Sequence, residues 1–397
     1  MRRLSDKNIF LNQSGVAAIF VVIFFALLIG IITLSFATIA NQDQQRSTNN
    51  DLAQSAYDSS QAGVEDSRRL LLSYYKCIQD GGACATDSTL KDKYEANFNK
   101  DDCKAIVDAA GVNLIKVGSG TIQSGSTVVP IKSSNGGDLQ QSYTCVNIKT
   151  KTPDYQTSLK ANQSRLIPLK AAGGAHTPEI TLSWFMADRD AGSGSNFNYP
   201  DGTTSPLVLP ADSSAWNADT PSIIRVQAIP VASSGPVNPA AVNDGSRTLF
   251  LYPQEGATTP EIDLNIDGGR KISKTVATPT PAPGCVVSKT ANAYGFACKA
   301  KMIGFDTTKD YYLRITPLYN KSTINITMAS TLLFDNVQPT IDSTGRANDL
   351  YRRSFTRMNP ININDVTFDA DFTSTDSICK DYSVGGTTTD FNPGSCN

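Results

Sequence analysis

A single histidine, eight cysteines and a few acidic loops are what this chain offers for chemistry, and their spacing does not assemble a catalytic centre. A Ser-His-Asp relay would have to use His176, which stands in AAGGAHTPEI with no GxSxG elbow beside it, so it reads as an exposed loop histidine. The cysteines form no CxxC pair, and with one histidine no zinc ligand set can be built. DLNIDGG, Asp263 to Gly269, opens like a calcium loop, yet Lys274 stands where the loop needs a bidentate glutamate. Ile262, Leu264 and Ile266 alternate with the acids there, the pattern of a strand entering an Asp-Gly turn. DRDAGSGSNFNYPDG gathers Asp188, Asp190, Asn196, Asn198 and Asp201, oxygen ligands of the kind calcium takes. Calcium is therefore the one cofactor with a candidate site, and solvated surface is the plainer reading of that loop.

Arg346, Arg352, Arg353 and Arg357 are the one basic concentration, candidate contacts for an anionic polymer such as DNA or a wall polymer. Alternation puts Arg353 and Arg357 on one strand face with Phe355, and arginines so placed more often guard a sheet edge against unwanted pairing. With 35 basic against 37 acidic side chains, a formal charge of -2, no global field attracts nucleic acid, which is not expected as a partner. The expectation is a protein that is not an enzyme, with no catalytic, cofactor-binding or metal residues.

The elements around these residues are more informative. From Val16 to Ala40 run 25 uncharged residues, of which 16 are Val, Ile, Leu or Phe. As a helix they extend about 37 Å against a hydrocarbon core of about 30 Å. At about -0.3 to -0.6 kcal/mol for each large apolar residue, insertion is favourable by roughly 5 to 10 kcal/mol. Arg2, Arg3 and Lys7, against Asp6, keep the N-terminus inside. A cleaved signal peptide is the competitor, with Ser35 and Ala37 small enough for a peptidase, but its apolar core would run only about 7 to 15 residues. Helical character then continues without proline to Lys76, and Ala53, Ala56, Ser60, Gly63, Ser67, Leu70 and Tyr74 recur at spacings of three and four on one stripe. Most are small, the composition that lets another backbone come close, as in packed helix bundles. An amphipathic helix lying on its own domain is the alternative, and both readings can hold along different lengths.

A long apolar-then-amphipathic N-terminal helix resembles the type IV pilin family. The basic leader MRRLSDKNIFLNQSG ends in Gly15, where a prepilin peptidase would cut, making Val16 the first mature residue, commonly methylated in the family. The span followed by QSAYDSSQAGVED is similar to the PilX-type minor pilins. Major pilins carry a glutamate at the fifth mature position, whereas this chain has Phe20, and a carboxylate in lipid is what would pair with a neighbour's amino terminus. The resemblance thus implies a minor or tip-proximal subunit of a pilus or secretion pseudopilus. Its partners would be prepilin peptidase, the membrane before assembly, other pilins through the helix, and a surface receptor or polysaccharide. YTCVNIKTKTPDYQTSLKANQSRLIPL and IDSTGRANDLYRRSFTRM also resemble segments of pilin-like proteins of small-genome bacteria. A single-pass anchored surface adhesin or carbohydrate-binding protein is the alternative, and a secreted hydrolase the third reading.

Beyond Cys77 the texture becomes short alternating runs broken by turn residues, among them EITLSWFMA, SIIRVQAIPV, RTLFLYP, YYLRITPLYN and VTFDADF. The fold class is α+β, a long N-terminal helix followed by a large antiparallel β-sandwich. The parts are a leader (1–15), the membrane half of the helix (16–40), its amphipathic half (41–76), a mixed connecting region (77–165), the sandwich (166–372) and a C-terminal tail (373–397). Eight cysteines beyond the span suggest four disulfides and an oxidising compartment, hence an ectodomain outside the cell. Proximity pairs Cys285 with Cys298 and Cys379 with Cys396; Cys77, Cys84, Cys103 and Cys145 keep three connectivities.

Overall fold

The computed structural model describes residues 14–79, 81–117, 126–132, 138–199, 207–208, 216–231, 245–256, 261–264, 275–276, 284–290, 295–329 and 331–359. Helix α1, Ser14–Ile78, runs 65 residues without a break, about 97 Å at 1.5 Å per residue. Every described side chain from Ala18 to Asp51 is exposed except the half-buried Gly30, so among the described residues nothing covers the apolar half. It is long and apolar enough to cross a membrane. Burial begins at Leu52 and deepens toward the helix end, where Leu70 and Leu71 are fully buried.

The Cys77–Cys84 disulfide ties the last turn of α1 to α2, Ala83–Thr86. Gly82 passes so close beneath that turn that a Cβ would lie 2.3 Å from the Cys77 carbonyl oxygen, leaving glycine as the residue that fits. Next come α3, Ser88–Glu95, and α4, Ala105–Gly111. Asp87 caps α3, its carboxylate accepting from the amides of Thr89 and Leu90 at 2.9 and 3.1 Å.

The strands among the described residues are β1 Val129–Lys132, β2 Asp138–Thr152, β3 Asp154–Leu159, β4 Arg165–Pro168, β5 Glu179–Met186, β6 Leu207–Val208, β7 Ile223–Val231, β8 Arg247–Leu251 and β9 Gln254–Glu255. They continue with β10 Glu261–Asp263, β11 Thr275–Val276, β12 Gly284–Cys285, β13 Phe296–Ile303, β14 Asp310–Leu318, β15 Ser322–Met328, β16 Phe334–Ala347 and β17 Leu350–Arg357. The described residues divide into two compact units, one drawn from 1–63, 117–145 and 343–354, the other from 64–116, 146–342 and 355–397.

The second unit holds the sandwich. One sheet has the order β3-β15-β5-β13-β12-β9, with β10 beside β13; the other has the order β4-β14-β7-β8. Pairing is antiparallel apart from β10 with β13 and β9 with β12. Alternation explains the layers: β7 turns Ile224, Val226 and Ala228 inward, β14 turns Leu313 and Ile315, and β5, β13 and β15 answer with Leu182, Trp184, Ala300, Met302, Ile324 and Ile326. The indole of Trp184 donates to the Ser222 carbonyl at 2.9 Å, satisfying its one polar atom inside that core.

The sandwich starts earlier than its sequence boundary at 166. β3, placed by sequence in the connecting region, pairs with β15 and contributes Tyr155 and Leu159 to the core. VTFDADF, the tail from 373, Cys379 and Cys396 and the leader residues 1–13 lie outside the described residues.

Candidate functional site

The small-residue stripe of α1 is the first candidate surface, and the structure turns much of it inward. Ala56, Ser60, Ser67 and Leu70 are fully buried, Tyr74 almost so, Gly63 is buried, and Ala53 is half-buried. In the first unit the backbone that comes close is strand β16: a Cβ on Gly345 would lie 2.1 Å from the Ala56 carbonyl oxygen and 2.2 Å from the Ser60 amide nitrogen. Ser343 and Ala347, the other inward residues of that strand end, are also small and buried. Ser60 Oγ sits 2.5 Å from Ser354 Oγ, and Gln61 donates to the same hydroxyl at 3.1 Å. Close approach is what small side chains permit, and at this stretch it serves the chain's own sheet rather than a second helix. In the second unit Tyr74 packs on Tyr94 and Phe98, with ring centroids 5.7 and 5.2 Å away, and its hydroxyl donates to Glu95 at 2.8 Å.

What α1 leaves uncovered is the segment Ala18 to Asp51, first apolar and then polar. The Gly15–Val16 bond, the candidate processing site, lies in the first turn of α1.

The four arginines have different surroundings. Arg357 donates to both carboxylate oxygens of Asp154 at 2.9 and 3.1 Å, a bidentate, mostly buried pair, and to Gln338 at 3.3 Å. It holds strands together and is not presented to a polymer. Arg346 donates to the Asn348 carbonyl at 2.5 Å and lies over the Tyr351 ring at 5.6 Å. Arg352 and Arg353 are exposed on β17, the edge strand, among the described residues, of the sheet ordered β1-β2-β16-β17. Charges on an edge strand deter pairing with a foreign strand.

In the DRDAGSGSN loop, Asp190 is buried and its carboxylate is already occupied. It accepts from the Met186 amide at 2.7 Å, the Thr323 amide at 2.6 Å and the Thr323 hydroxyl at 3.1 Å. Burial raises its pKa and those hydrogen bonds oppose the rise. Asp188 is exposed, Asn198 donates its amide to the Asp219 carbonyl at 3.3 Å, and Asn196 bridges to Ser288; Asp201 lies outside the described residues. The described residues hold no group of three or more His, Cys, Asp or Glu side chains that could bind a metal ion. His176 is not the exposed loop residue of the sequence reading: its side chain is one-quarter exposed, with Nδ1 3.0 Å from Asp310.

Cys285 pairs with Cys298 across the β12–β13 ladder, and Cys77 with Cys84; Cys103 and Cys145 are disulfide-bonded as well. Sequence reasoning passed over Gly345, Asp154 and the ion pair of Lys289 with Asp219, where Lys289 also donates to the Gly192 carbonyl at 3.0 Å. A glycine inside the alternating run IDSTGRA was the available signal for the first. Comparison with protein families, with curated proteins and with solved structures returns no match.

Proposed function

We propose that this chain is a non-enzymatic structural subunit, a minor or tip-proximal pilin of a type IV pilus or related pseudopilus. The observation that carries the reading is the two-part character of α1: its first part is apolar and uncovered, while Ala56 onward is locked into the folded protein. In this reading the N-terminus faces inward, the sandwich stands outside the cell, and prepilin peptidase cuts between Gly15 and Val16. The span then leaves lipid for a bundle of like spans, exchanging one apolar environment for another. Phe20 supplies no carboxylate to pair with a neighbour's amino terminus, which supports a minor rather than a repeating position. The sandwich would carry any contact with a surface receptor or polysaccharide.

Edman or mass-spectrometric determination of the mature N-terminus tests this. A start at Val16, with the chain recovered in sheared filaments, is expected. A start at Met1 would make the protein a permanently anchored surface adhesin, and a start at Thr38 a secreted one.

A further inference from the structure

Among the described residues, β3 is the longest edge strand of the sandwich, at six residues, and it lacks the residues that ordinarily keep an edge from pairing with another chain. DYQTSL holds no lysine, arginine or proline. The other edges are shorter, and the longer ones are marked in their own sequence: β9 has two residues and β10 three, β4 ends in Pro168, and β8 begins with Arg247. The one charge on β3, Asp154, is paired with Arg357 and accepts from Asn325 at 2.6 Å.

We infer that Gln338 closes this edge to strand addition, so that the sandwich does not pair through β3 with a second copy of this chain. The carboxamide of Gln338 does what a residue of an added antiparallel strand would do. Its Oε1 accepts from the Gln156 amide at 2.9 Å and its Nε2 donates to the Gln156 carbonyl at 2.7 Å, the two-bond exchange of a hydrogen-bonded antiparallel pair. Two residues back along the same edge, the Asp154 carbonyl accepts from Arg357 Nη1 at 3.3 Å.

The cap is held in place. Nε2 also donates to Asn359 at 3.1 Å, and Oε1 also accepts from Arg357 at 3.3 Å, so both donors and both lone pairs of the carboxamide are used. Gln338 is itself buried, and its neighbour Val337 belongs to the sandwich core. A strand arriving at β3 would have to displace these bonds and leave a buried amide without partners, which is unfavourable.

The inference goes beyond the pilin reading and rests on no part of it. The full-length chain in detergent is compared with its variants by size-exclusion chromatography with light scattering over a range of concentrations. Gln338→Met keeps the length of the side chain and removes the cap, and its self-associated fraction is expected to exceed the parent's by about tenfold and to grow with concentration. Adding Gln156→Pro deletes the N–H that Gln338 had covered and none that β15 uses, and is expected to restore the parent's profile. A proline within a strand would not relieve association caused by general unfolding, so recovery identifies the edge itself. Thermal melts establish that the variants are folded. In the parent, the Gln156 amide is expected to exchange its hydrogen far more slowly than that of the exposed Ser158, a measurement that needs no variant and decides the matter if neither variant folds. A folded Gln338→Met that elutes as the parent does, association that persists with Gln156→Pro, or a Gln156 amide that exchanges as fast as that of Ser158 overturns the inference. Where the mature chain begins enters none of these outcomes.

Discussion

Gly345 lies directly against Ala56, close enough that the smallest side chain on the glycine would place its Cβ 2.1 Å from the Ala56 carbonyl oxygen. The obstacle is helix backbone, which cannot swing aside as a flexible side chain would. Gly345→Ala is therefore expected to destabilise the protein by about 1–3 kcal/mol, the usual range for overpacking, or more if the strand is expelled. Denaturant unfolding of the detergent-solubilised chain measures it. A variant as stable as the parent would show that this contact does not anchor the helix.

The same contact sets where the chain can be shortened. Side chains from Ala18 to Asp51 are exposed, whereas Ala56 and Ser60 are fully buried. Deleting residues 1–50 is expected to give a soluble, cooperatively melting protein. Deleting residues 1–63 removes Ala56 and Ser60 and is expected to give a lower melting temperature or aggregation. Circular dichroism melts and size-exclusion profiles of the two truncations decide it.

Much of this architecture is legible in the residues. The apolar run and the proline-free stretch behind it define α1, and strict alternation in IIRVQAIPV defines β7, where Ile224, Val226 and Ala228 do face the core. What the chain pairs with at long range is not legible. The stripe of Ala56 and Ser60 announces close approach, but small side chains are equally compatible with a helix and with a strand, and Gly345 lies almost three hundred residues further on. Asp154–Leu159 looked like a connector because its partner β15 lies more than 160 residues further on. Asp190 read as part of a solvated loop, with calcium as the other option, because local composition cannot reveal that two backbone amides, one of them at Thr323, require its carboxylate.

Asp190 gives a test in pH as well as in sequence. Asp190→Ala leaves the buried amides of Met186 and Thr323 without an acceptor, a loss on the order of 3 kcal/mol. Asp190→Asn keeps an acceptor oxygen and removes the titration. Because burial raises the native pKa above the unfolded value, the folded state binds the proton more readily than the unfolded chain. The associated stability is full below the unfolded value, near 3.8, and declines as pH rises through the native one. Melting temperatures from pH 3 to 8 should therefore show Asp190→Asn gaining on the parent as pH rises through that window. A constant difference would refute the assignment.

The arginines should separate by stability. Arg357→Ala takes the bidentate partner from the mostly buried Asp154 carboxylate, to which Asn325 still donates at 2.6 Å, and is expected to cost about 2 kcal/mol, in line with hydrogen bonds between charged groups. Arg352→Ala, exposed on the edge strand, should change stability by no more than about 0.5 kcal/mol. A double-mutant cycle pairing Arg357→Ala with Asp154→Ala should return a coupling energy above about 0.5 kcal/mol, as contacting residues do. Additive effects would mean that the pair does not hold these strands together.

The disulfides offer a test that depends on strand pairing rather than on charge. Cys285 and Cys298 stand opposite each other where β12 meets β13, and the loop between them spans 13 positions. Closing a loop of about this length removes chain entropy from the unfolded state worth roughly 3 kcal/mol. Replacing both cysteines by serine is expected to lower stability by about that amount while leaving the far-ultraviolet spectrum unchanged, because β13 stays paired along its length with β5, which is in turn paired with β15. Unfolding with and without reductant should then differ by about 3 kcal/mol less in the double variant than in the parent. If instead the variant melts like the parent in oxidising buffer, β12 frays from β13 in solution and the bond constrains nothing that the sheet had not already fixed.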